Sequence, residues 1–444
     1  MFGVRLSVGL IVATALILSG CAATIERNGI ASAKLAAVAE VKGMPDVRFW
    51  ADEVPKDPIA EIKHRTAHLP PIARDAKRMG GRRLIETLAL SGGGSDGAFG
   101  AGVLAGWTKR GDRPEFEVVT GVSAGAIIAP FAYLGPSEDE KLHTIWTQYK
   151  QDEVITTQFL PALFGGPALA DTTPLEKLIA QYVDREFLDR IAAQYKRGRI
   201  LMVLTTNLDA QRPVVWNMGE IALHRTPEAT ELFRKVILAS AAIPAAFPPV
   251  KIEVEADGKT YDELHVDGGT TRELFVLPVQ APLKAFDPLF PEPPIRRFFI
   301  IKNGKVAPEQ EVVKPTTLQI ASRSISTLIK SQNQGELYRI YRIAIDGGAD
   351  FNFMAVPSSF EFKTKQIYDP KYQAALYAEG VEEGRKGAWL KSPPGQTPIT
   401  VPTAAKSPSA PAAKPSTTPA PSATGPQLKP KPEPVTPPVA AVNG

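Results

Sequence analysis

FEVVTGVSAGAIIAPFAYL, Phe116 to Leu134, decides the fold of this 444-residue chain. A short β-branched run ending at Thr120 enters a glycine-serine turn and leaves it as an apolar helix. The turn, Gly121-Val122-Ser123-Ala124-Gly125, fits a nucleophile elbow, where a sharp strand-to-helix reversal lifts a serine hydroxyl clear of the backbone. Small residues must flank the serine because the chain segments approach too closely there for a β-carbon. Ser123 then stands at the positive end of a helix, where free N–H groups stabilise a developing oxyanion.

A second G-x-S-x-G, Gly93 to Gly97 centred on Ser95, lies upstream in LSGGGSDGAFGAG (Leu90 to Gly102), after the strand-like RLIETLAL of Arg83 to Leu90. Gly92, Gly94 and Gly97 also satisfy G-x-G-x-x-G. A dinucleotide loop wants an acidic residue about twenty positions on, at the end of the next strand. That strand runs instead into the elbow, and no Gly-Lys-Ser/Thr comes after the loop to make a P-loop. Three consecutive glycines, Gly92, Gly93 and Gly94, suit an oxyanion hole, since their N–H groups converge on a concavity that no side chain blocks. Ser123 as nucleophile leaves this loop free for that task. With Ser95 as nucleophile, no further glycine loop lies upstream to do that job.

A Ser-His-Asp triad needs a histidine, and the α/β-hydrolase order puts it last. The five histidines are His64, His68, His143, His224 and His265, with none beyond. The first four sit in polar stretches and read as solvated. The alternative base lies in ELHVDGGTT (Glu263 to Thr271), where a strand ends in Asp267-Gly268-Gly269 and glycines turn the chain away. A carboxylate is a poor base at its ordinary pKa near 4; partial desolvation raises that value, and a hydrogen bond to Ser123 orients the group. His265 projects on the same strand face as Asp267 and reads as a packed, satisfied side chain. A second Asp-Gly-Gly at Asp346 reads as a tight turn. Asp267 is preferred because KVILASAAIPAAFPPV (Lys235 to Val250) precedes it, a helix ending at Ile243-Pro244 with an extended entry into the Asp267 strands.

GGGSDGAFGAG, GVSAG, ASAAIPAAFPPV and DGG, in that order, resemble the patatin-like phospholipase family, and TTNLDAQRPVVWNMG (Thr205 to Gly219) resembles a strand-turn-strand of that family. The resemblance covers about Leu84 to Lys391. It implies a three-layer α/β/α sandwich on a mostly parallel central sheet, and a Ser-Asp dyad of Ser123 and Asp267 with Gly92, Gly93 and Gly94 as the oxyanion hole. The implied reaction is attack on an acyl ester through an acyl-enzyme intermediate, with neither metal nor cofactor. One departure concerns the headgroup. Asp96 stands where many members carry a basic residue, and a carboxylate there repels an anionic headgroup. Lysolipids, neutral glycerides and other acyl esters stay open as substrates. The competing class is an inactive, lipid-anchored binding or scaffold protein.

Residues 1–20 read as a bacterial lipoprotein signal. A thin positive start at Arg5 precedes an apolar stretch from Leu6 to Leu18, and Leu18-Ser19-Gly20-Cys21 resembles the lipobox. Thirteen apolar-biased residues are few for a transmembrane span. Cys21 is the only cysteine, so no disulfide forms within one chain. Its lipidation predicts membrane attachment through several acyl chains, and Ala22 after it favours the outer membrane facing the periplasm. Residues 21–82 come next as a polar, partly helical arm broken at Pro55, Pro58, Pro70 and Pro71, before an acyl-hydrolase domain at 83–391.

Further strands are expected at Ile200–Thr206, Pro213–Asn217, Ile252–Glu255 and Arg297–Ile301. Helical patterns run near Pro174–Tyr195, Thr226–Ala239 and Thr317–Ile329, the last extending toward Ile343. Tyr372, Leu376, Gly380 and Gly384 recur at four-residue spacing, which predicts a late helix packing closely through its glycines. Alternating strands and helices imply a sheet covered on both faces. Residues 392–444 turn to Pro, Ala, Thr, Ser and Lys and cannot bury a core. From Lys391 onward five lysines face one glutamate, which accounts for the whole chain's +4, so the basic balance gives no reason to expect nucleic acid. The tail reads as a solvated spacer, with weak contact to an anionic envelope polymer as the alternative.

Overall fold

Two strand-to-helix passages build the centre of the molecule, and both come from the glycine-rich segments. The computed structural model describes residues 27–54, 57–65, 78–157, 170–277, 282–362, 364 and 368–395. In chain order, β1 (Arg82–Leu90) leads through the glycine loop to α1 (Gly97–Arg110), and β2 (Val118–Gly121) through the elbow to α2 (Ala124–Leu134). Then come α3 (Asp139–Thr147), α4 (Thr173–Tyr182), α5 (Arg185–Lys196), β3 (Ile200–Asn207), β4 (Arg212–Asn217) and α6 (Pro227–Ser240). The chain continues with β5 (Val250–Ala256), β6 (Lys259–Asp267), β7 (Ile295–Lys302), α7 (Thr317–Gly347), β8 (Asp350–Ala355) and α8 (Pro370–Lys386).

These eight strands and three short ones, Glu40–Val41, Arg48–Trp50 and Arg78–Met79, form an eleven-stranded sheet, and Thr156–Thr157 pairs separately with Ala170–Asp171. Its central run, β3-β2-β1-β7-β8, is parallel throughout, as the alternation of strands and helices predicts. β4, β5 and β6 extend it antiparallel on the β3 side. Both faces are covered. Leu88 and Leu90 of β1 and Phe299 and Ile301 of β7 pack with α1 and α2, while Ala89, Phe298 and Ile300, one residue out of step, pack with Leu337, Ile340, Tyr341 and Ala344 of α7. This is the α/β/α layering that the sequence implies.

The expected helix over Pro174–Tyr195 is two, because Asp184 caps α5 by accepting from the Phe187 N–H at 2.8 Å. The pattern from Thr317 is one continuous helix to Gly347. Asp346-Gly347-Gly348 is accordingly the end of α7, not a free tight turn. Gly348 closes the helix at φ 67°, and the exposed Asp346 pairs with Arg342 one turn back at 2.6 Å.

The polar arm differs from its expectation. Glu40–Val41 pairs with β5 and Arg48–Trp50 with β4, so the described part of the arm lies on the sheet. Val41, Met44, Val47 and Ala51 are buried, and these apolar residues are too sparse in the arm to announce themselves as strands. The lipobox, Cys21, His68 and the tail beyond residue 395 lie outside the described residues. Among the described residues no helix is long and apolar enough to cross a membrane.

Candidate active site

β3 brings the elbow and the aspartate together. Its first half pairs in parallel with β2, Gly121 opposite Val203, and its second half pairs antiparallel with β6, Asp267 opposite Thr205. β2 and β6 therefore run head to head along one edge of β3. Their C-terminal ends stop two residues apart in its register. The turn that leaves β2 must face the end of β6, and that turn carries Ser123.

Ser123 has φ 54° and ψ −121°, a conformation that a side chain rarely adopts. Such strain costs on the order of 1–3 kcal/mol and persists only where its surroundings enforce it. Three contacts do so. The Ser123 N–H donates to Ser240 Oγ at 2.9 Å, and Ser240 Oγ donates in turn to the Leu204 carbonyl at 2.7 Å. Val122 N–H reaches the Leu90 carbonyl at 3.2 Å. The flanking glycines are required, since a β-carbon on Gly121 would lie 2.3 Å from the Gly125 carbonyl oxygen and one on Gly125 2.2 Å from that of Leu90.

Asp267 ends β6 with its N–H bonded to the Ala242 carbonyl at 2.9 Å. Its Oδ1 accepts from the Gly269 N–H at 2.7 Å, which fixes the carboxylate. Ser123 and Asp267 are each 5% exposed. Burial pushes the Asp267 carboxyl up to about 7, with Ser123 and the Gly269 N–H drawing it down and the Glu273 carboxylate raising it. The Ser123 hydroxyl thus acts on Asp267 without forming a hydrogen bond of good geometry. Such contacts are often long before substrate binds.

The glycine loop is divided in its work. Gly92 N–H donates to the Glu273 carbonyl at 3.2 Å, so it is spent on structure and is not a free donor as the sequence reading expects. Gly92 is needed for space, because a β-carbon there would lie 3.0 Å from Ser123 Cβ and 3.1 Å from Glu273 Cγ. Gly93 and Gly94, at φ 156° and 57°, have N–H groups with no acceptor among the described residues. Asn303 clamps this loop. Its N–H donates to Ser91 Oγ at 2.9 Å, its Nδ2 to the Ser91 carbonyl at 2.7 Å, and its Oδ1 accepts from Gly100 N–H at 3.0 Å.

The other candidates fall outside the site. Ser95 sits in a single 3₁₀ turn, Gly94–Asp96, with no elbow. His265 is fully buried with both ring nitrogens used, Nδ1 against Thr205 Oγ1 at 2.9 Å and Nε2 against Glu263 at 3.1 Å. The ionised Glu263 carboxylate can only accept, so in the neutral ring Nε2 carries the proton toward it and Nδ1 accepts from the Thr205 hydroxyl, whose oxygen also accepts from Trp216 Nε1 at 2.8 Å. Burial lowers the His265 pKa. It is a satisfied strand histidine. Asp96 accepts from the Tyr372 hydroxyl at 2.7 Å, and burial raises its pKa to about 6 against that bond.

Beside Ser123 lies a cleft of about 790 Å³ of empty space, its open mouth included. Gly94, Ser123 and Ala124 line one part of it. The rest is mostly apolar, with Ile127 and Phe131 of α2, Ile145 of α3, Leu175 and Ile179 of α4 and Ile237 of α6, and Gln373 of α8 among the polar exceptions. Its lining suits a hydrocarbon chain.

Sequence reasoning missed Ser240, Asn303 and Glu273. Ser240 stands in the ASAAIP stretch, which marks its region without its role. Neither Asn303 nor Glu273 carries a local signal, because each acts on a segment far away in the chain.

No curated protein matches the chain. Twelve solved chains do. One, the crystal structure of VipD from Legionella pneumophila, aligns at 12% identity and a TM-score of 0.35 over 70% of this chain and 69% of that one. The family model for patatin-like phospholipase matches residues 88–279, a span that holds the glycine loop, the elbow and Asp267. The chain carries a patatin-like phospholipase domain and is a lipid acyl hydrolase of that kind.

Proposed function

We propose that the protein is a membrane-anchored serine acyl-ester hydrolase of the phospholipase, lysophospholipase or lipase type, working through a Ser123–Asp267 dyad. The observation that carries this reading is the strained Ser123 facing a buried carboxylate whose pKa lies near neutrality. A base poised near the working pH is the efficient one. Ser123 Oγ attacks the ester carbonyl carbon as its proton passes to Asp267, and the carbonyl oxygen becomes an oxyanion held by the Gly93 and Gly94 N–H groups. Collapse of the tetrahedral centre breaks the bond to the alcohol, which leaves with the proton from Asp267. Water then attacks the acyl-serine, again giving its proton to Asp267, and a carboxylic acid departs as Ser123 recovers its own.

The apolar cleft beside Ser123 supports a long acyl chain as the part of substrate recognised. The sole cysteine at the lipobox supports attachment through Cys21, at the periplasmic face of the outer membrane.

Ser123→Ala is expected to keep the fold and lose at least about a thousandfold in hydrolysis of an acyl ester, the scale of losing a covalent nucleophile. A fluorophosphonate should label the wild type at Ser123. Labelling at Ser95 instead would reject the assignment.

A further inference from the structure

One buried titratable group beside the dyad takes no part in the chemistry described so far. Glu273 comes six residues after Asp267, is 8% exposed, and sits against the same glycine as the nucleophile. A β-carbon on Gly92 would meet Ser123 Cβ at 3.0 Å and Glu273 Cγ at 3.1 Å, so the two side chains touch this glycine together. Glu273 Cγ also lies 3.8 Å from the corresponding position on Gly269, the residue whose N–H fixes Asp267. Its Oε1 faces Lys302 Nζ at 3.4 Å, and Lys302 too is 8% exposed. Its Oε2 is buried without a partner. An acid left half-satisfied in a core is costly, and its retention calls for a reason.

We propose that Glu273, held by Lys302, is a positioning residue whose negative charge sets the pH at which Asp267 becomes a base. The proposal rests on the dyad reading. The groups around Asp267 allow it. From the elbow comes the neutral Ser123, from the turn after β6 the Gly269 N–H, from the segment before α8 the phenol of Tyr368, and from the loop beyond that turn the carboxylate of Glu273. Among the described residues no cation forms an ion pair with Asp267. Cations reach Glu273 instead, Lys302 from β7 and Lys330 from α7. The negative end of an ion pair is thus the charge that Asp267 meets, and two carboxylates so placed cannot both ionise freely. Burial raises both acids, and Lys302 favours ionisation of Glu273.

Asp267 acts only when deprotonated, so the rate of Ser123 modification rises with pH through its pKa. Removing the like charge lowers that pKa and moves the rise to lower pH. Glu273→Gln is suited to the test because the Gly92 tether uses the Glu273 main-chain carbonyl, which the substitution keeps.

The rate of fluorophosphonate labelling at Ser123, measured against pH in the whole protein, reads the base directly. The wild type should show a midpoint near neutrality, and Glu273→Gln one about a unit lower. The pair Glu273→Gln with Lys302→Met leaves no unpaired charge and should shift the same way if the single variant folds poorly. An unmoved midpoint in both, with Ser123 labelled in the wild type, overturns the role of Glu273 and leaves the dyad standing. No labelling of wild-type Ser123 overturns the dyad, and this inference with it.

Discussion

Asp267 is held where a carboxylate gains a proton easily and gives it up near neutral pH. Burial does most of this, opposed by the Gly269 N–H and the Ser123 hydroxyl. An exposed aspartate in the same place would stay ionised at pH 7 and accept protons weakly. Ser123 and Asp267 are legible in the sequence because each sits in a local motif with small residues that only a tight turn demands. The residues that support them are not. Ser240 holds Ser123 across 117 positions of chain, and Asn303 holds Ser91 across 212. A bond of that kind exists only once the sheet has closed, so no window of sequence contains it. Gly92 shows the same limit, since its N–H is claimed by a carbonyl 181 positions later.

At the scale of elements, α1 and α8 lie backbone to backbone. A β-carbon on Gly102 would meet the Tyr377 carbonyl oxygen at 2.1 Å and one on Gly106 that of Val381 at 2.1 Å. From the other side, a β-carbon on Gly380 would lie 2.3 Å from the Phe99 carbonyl oxygen and one on Gly384 2.2 Å from that of Val103. This contact fixes α1 beneath the glycine loop. Gly380→Ala should therefore force the helices apart and destabilise by about 1–3 kcal/mol, the range for overpacking, seen as a lower urea midpoint at unchanged slope. An unchanged midpoint would show that the helices separate freely. The four-residue glycine spacing makes this packing readable in sequence, because helical periodicity puts those positions on one face. The central strands are readable as apolar runs between turns. The arm's short strands are not, since two or three residues carry no period.

For the whole molecule, the site opens beside an apolar cleft, and the proposed lipid anchor is Cys21. Attachment through Cys21 would hold the enzyme at the surface that contains its substrate. Cys21→Ala is expected to move the protein from the membrane fraction to the soluble one and to change its electrophoretic mobility. Unchanged partition would rule out the anchor while leaving the dyad untouched. The fold class is legible at this scale because the strand-elbow-helix passage admits few architectures. How the arm meets the sheet is not, because Arg48 becomes meaningful only beside Glu263. That carboxylate is pushed up by burial but held at about 2 by His265 and Arg48.

The central claim is that Asp267, with no histidine, is the base for Ser123. Its most direct measurement is kcat/KM on one short-chain ester for Asp267→Asn, His265→Gln and Asp346→Asn, each checked for fold by circular dichroism. Asp267→Asn is expected to lose nearly as much as Ser123→Ala, because the two act as one unit. His265→Gln should fall only modestly through its packing, and Asp346→Asn should stay close to the wild type. Near-wild-type activity in Asp267→Asn, or a loss in His265→Gln as deep as that of Ser123→Ala, would contradict the claim.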